Sequence, residues 1–472
     1  MTINRDILKL ALPSILANIT VPLVGMVDIA VAGHLDVHAA TLIGGIAIGS
    51  MLFDLLYWNF GFLRIGTGGL AAQAYGAGDR RECAIILTRA LAMSLAIALL
   101  LLAIQWIYVK AAFLVVDCTP EVRELASRYF FIRIWAAPAT LCLMALKGWF
   151  IGMQDSVSSM IADVTVNGMN ILLSIILALG LNIKGITLIP ALGFIGVAIG
   201  TLAAQWMGFA VTVLILAVKY RRGTLDQLRA EDLKTLFKGA ETQKFFKMNS
   251  DLFIRSACMI AIYIGFTVIS ARYGDVLLAV SSILMKLLLL FSYFTDGFAY
   301  AGEALTGRFI GARNPQMLRQ TVKWTFIWSM GIASAFILIY QFAGVPLLKI
   351  MTSDLAVIEA AKGYLPWLLL MPIVGCAAFT WDGIYIGATA SKGMRNSTIW
   401  AVASFVFVWG AGILLLNAVV PQESSRYGTL AMHVLMAAYF AHLLARTVYL
   451  TKNATTTIGF RTSSESSAAA SL

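Results

Sequence analysis

Twelve apolar runs divide the chain, each long enough, or nearly so, for the roughly 20-residue helix that crosses a 30 Å hydrocarbon core. They fall at 8–33, 38–66, 84–109, 127–152, 157–181, 186–218, 246–271, 276–304, 321–343, 357–388, 394–418 and 428–451. An apolar segment in lipid must satisfy its own backbone hydrogen bonds, which selects helices. The alternating pattern of barrel strands is absent. The runs predict an all-α polytopic membrane protein. Composition agrees: 60% of residues are hydrophobic and 12% charged, whereas about a quarter of a soluble domain is charged. A soluble enzyme or a nucleic-acid-binding protein fits poorly, despite the net charge of +11.

The basic surplus reads instead as topology. About 22 Lys and Arg residues fall on the side shared by both termini, and about 8 on the other. Arg80, Arg81, Lys219, Arg221, Arg222, Lys234, Lys238, Lys392 and Arg395 belong to the first group. This predicts both termini in the cytoplasm, as an even number of spans requires. The first run is too long for a signal-peptide core and lacks a small-residue cleavage site after it.

The longest polar stretch separates spans six and seven. The expected organisation is an N-lobe at 1–218, a solvated basic linker at 219–245, a C-lobe at 246–451 and a disordered Ser/Ala/Thr-rich tail at 452–472. The halves repeat in the same direction. Gly148-Trp149-Phe150-Ile151-Gly152 matches Gly383-Ile384-Tyr385-Ile386-Gly387, and Gly76-Ala77 matches Gly311-Ala312, both 235 residues apart. Tyr57, Gly61 and Phe62 match Tyr293, Gly297 and Phe298, and Pro138 matches Pro372, at nearly the same spacing. Two six-span lobes duplicated in one orientation are related by an axis along the membrane normal. In such transporters the substrate site lies between the copies near the midplane, and the lobes rock to open it to each side in turn.

A charge at the bilayer centre costs about 2.5–3.5 kcal/mol on insertion scales. Twelve charges nonetheless lie inside the spans: Asp28, Asp54, Asp163, Asp251, Asp296, Glu303 and Asp382, with Arg64, Arg133, Lys147, Arg255 and Lys286. They are expected to line an interior and to pair. Asp28 has no basic residue within a helical turn. Such a carboxylate in a low-dielectric interior takes up a proton or a cation near neutral pH far more readily than one in water. The alternative is an Asp fixed by neighbouring helices. Asp163, Asn167, Asn170 and Ser174 are spaced to share one face of span five. That face either lines a polar cavity or glues helices together. Thr201 follows the small-residue run Gly196 to Gly200.

In the second half, Asp251 and Arg255 stand four apart, which reads as a structural ion pair. Lys286, Asp296 and Glu303 share span eight. Asp382 occupies the repeat position of Lys147, which suggests an electrostatic pair across the cavity. Aromatic residues including Trp149, Tyr293 and Trp381 lie near these charges. Aromatic walls with carboxylates suit organic cations, although each aromatic singly fits packing as well.

Four motifs resemble the multidrug and toxic compound extrusion (MATE) family, and its DinF-like branch most of all. They are Met26-Val27-Asp28 with Ala32-Gly33-His34-Leu35, Phe62 to Leu70 with Ala72 to Gly78, Phe291 to Ala299, and Asp382 to Thr389. The resemblance spans about residues 5–450. It implies a MATE/MOP-like, V-shaped protein of two six-helix lobes in the bacterial cytoplasmic (inner) membrane. It implies export of organic, often cationic or amphipathic, compounds by antiport against H⁺ or Na⁺, with no other cofactor, and a monomer is expected. The family's cation site maps onto Asp28, Asn170 and Thr201. The family often has a second Asp where this chain has Ser174, so the site is either a simple proton site at Asp28 or one in which Asp163 substitutes; a Na⁺ near Asp28 stays open. Arg64, Lys147, Trp149, Lys286, Asp296, Glu303 and Asp382 are the expected substrate-cavity residues, Asp382 matching the span-ten Asp of related exporters.

Rival readings leave less trace. A lipid-linked precursor flippase of the same superfamily would favour a long cationic groove or further spans, and the sequence shows neither. A polytopic membrane enzyme would need an interfacial cluster of nucleophiles or metal ligands. His34, His38, His433 and His442 are dispersed, and no GxSxG or HExxH occurs. The five cysteines have no metal-ligand spacing.

Overall fold

The computed structural model describes residues 3–458, apart from 34, 36–38, 115, 117, 184, 185, 353 and 425. His34 and His38 therefore lie outside the described residues. The helices in chain order are α1 (Ile3–Gly33), α2 (Ala39–Trp58), α3 (Phe62–Gly76), α4 (Arg80–Ala112), α5 (Pro120–Arg133), α6 (Ala137–Gly152), α7 (Ser156–Leu179) and α8 (Gly193–Tyr220). They continue with α9 (Ala230–Lys234), α10 (Ala240–Ser270), α11 (Asp275–Gly311), α12 (Pro315–Met351), α13 (Leu355–Lys362), α14 (Leu365–Gly387), α15 (Ser391–Val419) and α16 (Tyr427–Ile458). Among the described residues, twelve helical segments are long and apolar enough to cross a membrane, one for each apolar run. Spans two and four each carry a 3₁₀ joint, at Asn59–Gly61 and Ile134–Ala136.

Span six begins later than its hydropathy suggests. Residues Leu181–Ile183 (β1) and Ile186–Ile189 (β2) pair as an antiparallel hairpin, and helix starts only at Gly193. The β-branched residues Ile186, Thr187 and Ile189 with Pro190 favour strand and turn over helix. At the other end, α16 runs on to Ile458. Residues 452–458 are thus helical and not part of a disordered tail, and 459–472 lie outside the described residues.

Packing divides the chain into two units, Leu16–Phe245 and Met1–Ile15 with Phe246–Leu472. The first turns of α1 therefore pack with the later spans, and not with the first six. Ala11 and Ile15 lie against Gly297 of α11, and Asn4 accepts a hydrogen bond from the Trp328 indole at 3.1 Å. The basic linker is mostly exposed, and it is also pinned to α4. Arg81 grips Asp232 through two hydrogen bonds, and Arg89 donates to the Leu236 carbonyl at 2.9 Å.

Inside each unit the same crossing recurs. In the unit Leu16–Phe245, a Cβ on Gly148 of α6 would overlap the Arg64 carbonyl of α3, and one on Gly152 would meet Gly68 and Ala72. In the other unit, Gly383 of α14 stands against the Ala299 carbonyl of α11, and Gly387 against Glu303 and Gly307. Every partner is displaced by 235 residues, so the sequence repeat is also a repeat of contacts. The turns that follow repeat too: Gln154 and Thr389 share positive φ (64° and 54°), as do Gly78 and Arg313 (75° and 52°).

Candidate functional site

Helices α1, α7 and α8 bring one polar cluster together inside the unit Leu16–Phe245. The helical period places Asn170 and Ser174 one above the other on α7. Asp28, Asn170, Ser174 and Thr201 are all buried, none more than 5% exposed. Ser174 donates to the Asn170 side-chain oxygen at 3.1 Å, and Asn170 donates to Thr201 Oγ1 at 3.2 Å. Thr201 donates back to the Val197 carbonyl at 3.1 Å. Close helix approach makes this chain of bonds possible: a Cβ on Gly200 of α8 would press on the Ser174 backbone.

Asp28 faces Ser174, and Oδ1 of the carboxylate is buried without a hydrogen-bond partner. No Lys or Arg among the described residues lies within 4.0 Å of it. The charge it feels at longer range is Arg133 on α5. That guanidinium stacks over Phe53 and Tyr129, 4.6 and 5.1 Å from the ring centres, and donates to Tyr129 Oη at 3.0 Å. The cluster therefore offers one carboxylate and a set of neutral oxygens. Such donors suit a proton on the carboxylate or a small hard cation beside it.

The rest of the expected cation face is dispersed. Asn167 donates to Thr20 Oγ1 at 2.6 Å, on α1 but away from the Asp28 network. Asp163 is taken by Lys147 in a 2.6 Å ion pair. It does not substitute for the second carboxylate.

The expected substrate-cavity residues also separate. Trp149 is fully buried, with its indole donating to the Cys83 carbonyl at 2.8 Å and its ring packed on Phe150 and Tyr220. It is a core residue of its unit and lines no cavity. Arg64 is half-buried on α3 beneath Gly148. Lys286 is exposed. Asp296 accepts from Ser292 at 3.5 Å, and Glu303 is completely buried.

Asp382 does not pair with Lys147, whose charge is met locally by Asp163. Its Oδ2 receives Arg255 Nη2 at 2.6 Å and Arg446 Nη2. Nor do Asp251 and Arg255 form the expected i, i+4 pair. Asp251 instead accepts from Arg395 Nη1 at 2.6 Å and from Ser391 at 2.9 Å, on α15. Hydrogen bonds from α10 to α14 and α15 outcompete the local spacing. Sequence reasoning missed both arginines: Arg395 reads only as a positive-inside residue, and Arg446 is not singled out. The i, i+4 placement of His442 and Arg446 on one face of α16 was the available signal.

His442 is buried, and His433 Nδ1 accepts from the Trp367 indole at 2.9 Å. Among the described residues, no three His, Cys, Asp or Glu side chains gather as a metal site.

The MatE family model matches residues 13–176 and 252–411. The chain is 34% identical over 402 residues to the DNA damage-inducible protein F of Escherichia coli (strain K12), covering 85% of this chain and 84% of that protein. It is 25% identical over 421 residues to the probable multidrug resistance protein NorM of Synechocystis, covering 87% and 86%. Among solved structures, it is similar to one described as the outward-facing conformation of a multidrug resistance MATE family transporter of the MOP superfamily. That match has a TM-score of 0.82 at 16% identity and covers 98% of both chains. A structure of MATE in the bent conformation matches with a TM-score of 0.80, also at 16% identity, covering 97% and 96%.

Proposed function

The chain belongs to the MATE family of multidrug efflux transporters, and we propose that it exports organic compounds by antiport against H⁺ or Na⁺, with Asp28 as the coupling carboxylate. One observation carries this reading. Asp28 is buried, has an oxygen unpartnered and no ion-pair partner among the described residues, and faces a ladder of neutral oxygens on two other helices. A carboxylate so placed is poorly solvated when ionised, and gaining a proton or Na⁺ relieves that cost.

The proposed cycle has two states. With Asp28 ionised, the protein carries its organic substrate. A proton or Na⁺ arriving from outside neutralises Asp28, changes the hydrogen bonding through Ser174, Asn170 and Thr201, and favours release. The return step discharges the ion inside. Only a ligand that binds the two states differently shifts their balance, and the charge on Asp28 is that difference. The protein is read as a multi-pass monomer of the bacterial inner membrane with both termini in the cytoplasm.

The test is flux in proteoliposomes with pH and Na⁺ gradients imposed separately, using wild type and Asp28→Asn. Efflux of a fluorescent organic cation driven by one gradient is expected in wild type, with at least a tenfold loss in the variant. Undiminished gradient-driven efflux by Asp28→Asn would overturn the assignment.

A further inference from the structure

In the unit that includes residues 246–458, two guanidinium groups converge on one carboxylate oxygen. Arg255 of α10 and Arg446 of α16 both donate to Oδ2 of Asp382 on α14. Arginine stays protonated in proteins, so this trio carries one net positive charge. The Arg446 side chain is 1% exposed, and those of Arg255 and Asp382 are 14% exposed each. One carboxylate oxygen cannot occupy two guanidinium forks. Arg446 Nε and Nη1 and Arg255 Nε are left buried without hydrogen-bond partners among the described residues. One turn before Arg446, His442 is also buried, its Nδ1 unpartnered and its ring 4.6 Å from that of Tyr439. The nearby carboxylate of Asp251 is already held by Arg395 and Ser391.

Unmet N–H donors on a buried charge are costly, and a planar oxoanion matches their fork geometry. We propose that Arg255, Arg446 and Asp382 form an oxoanion site, filled by a carboxylate, sulfonate or phosphate group of the carried compound. The cation-coupling cluster has no counterpart here. Positions 235 residues beyond Asp28, Asn170 and Thr201 are Tyr263, Phe405 and Met436. The two units thus carry opposite chemistry, one a carboxylate seeking a positive charge and the other a guanidinium pair seeking a negative one. The cargo class narrows from simple organic cations to compounds that carry an acidic group. This narrowing rests on the export reading; binding at the site does not.

The test uses the full chain in nanodiscs and a matched probe pair, rhodamine B with its free carboxylate and rhodamine B ethyl ester. Anisotropy titration should give at least tenfold tighter binding of the acid by wild type. Arg255→Gln should bring that ratio below threefold with ester binding no weaker, and Arg255→Lys, which keeps charge but loses the fork, should fall between. Arg446→Gln should repeat the Arg255→Gln result; if it does not fold, the Arg255 pair decides alone. Equal binding of acid and ester by wild type, or an acid preference that survives Arg255→Gln, overturns the site.

Inorganic phosphate distinguishes the source of the anion. Displacement of the acid probe by phosphate at concentrations no higher than the probe's own, lost in Arg255→Gln, assigns the site to free oxoanions and overturns the cargo assignment. No displacement, with the acid preference intact, supports a cargo carboxylate. Flux of the same probes separates the two readings. Ester efflux without any acid preference sinks the oxoanion site alone. Failure of both probes to move under either gradient sinks the export reading and leaves the binding result to judge the site.

Discussion

Lys147 Nζ lies 2.6 Å from Asp163 Oδ1, joining α6 to α7 within one unit. The contact withdraws Asp163 from the cluster around Asp28. Both side chains are about a quarter exposed, 25% and 23%, so the pair is worth on the order of 1 kcal/mol or less. Asp163→Asn is expected to lower thermal stability by no more than that and to leave ion-driven flux intact. Unfolding in detergent and vesicle flux together check it. Loss of coupling as complete as in Asp28→Asn would mean that Asp163 belongs to the coupling site after all.

Ser174 occupies the turn below Asn170, where a carboxylate would face Asp28. Ser174→Asp adds a second anionic oxygen donor to an otherwise neutral set. Cation affinity follows ligand charge, so the Na⁺ concentration giving half-maximal flux should fall by roughly an order of magnitude. Thr201→Ala removes the acceptor of the Asn170 amide and should move the same quantity in the opposite direction. Titration of flux against Na⁺ reads both; a Ser174→Asp variant with unaltered or weaker Na⁺ dependence contradicts this placement.

Gly148 and Gly383 leave no room for a side chain. Alanine at either position collides with the backbone of Arg64 or Ala299 and should destabilise by about 1–3 kcal/mol or more, as overpacked cores do. Gly25 on α1 is the control. Nothing lies within 4 Å of its Cβ direction, and alanine there should be neutral or stabilise by up to about 1 kcal/mol through helix propensity. Unfolding temperatures of the three variants should separate accordingly.

Asp155 caps α7 between spans four and five. Burial pushes its carboxyl up, but Lys219, the Ser158 hydroxyl, Tyr220 and the Ser158 amide all donate to the charged form, and the group ends below the usual carboxylate range. A depressed carboxyl stabilises the fold above its unfolded value of about 3.9 and loses that contribution as pH falls through the folded value. Asp155→Ala should cost about 1–3 kcal/mol at pH 7. The gap between wild type and variant should narrow only below about pH 4. Thermal melts from pH 7 to pH 3 check the sign; a gap that narrows as pH rises refutes the assignment.

The spans, the even count and the repeat were legible because hydropathy and glycine spacing are local signals. The meeting of Asp28 with Asn170, Ser174 and Thr201 was partly legible, since helical period puts Asn170 and Ser174 on one face. Charge partners were not. Asp251 and Arg255 have ideal local spacing, yet each is claimed by a residue more than 100 positions away. Trp149 failed as a cavity residue for a similar reason. An aromatic beside a charge in sequence says nothing about whether its ring faces a cleft or, as here, the Cys83 carbonyl. Arg446 by itself left no trace: a single basic residue near a span end gives no local sign that it is fully buried.

The glycine crossings also allot motion. Helices seated backbone to backbone, as α3 and α6 are at Gly148 and Gly152, cannot slide past one another without lifting apart, and the same holds for α11 and α14. Each such pair behaves as a keel. Helices α7 and α8 are seated just as closely, Gly196 on Leu177 and Gly200 on Ser174. Deformation during a working cycle must then be borne by lighter timber, and in the unit Leu16–Phe245 what is left to bend is α1, which holds Asp28 and has open space beside Gly25.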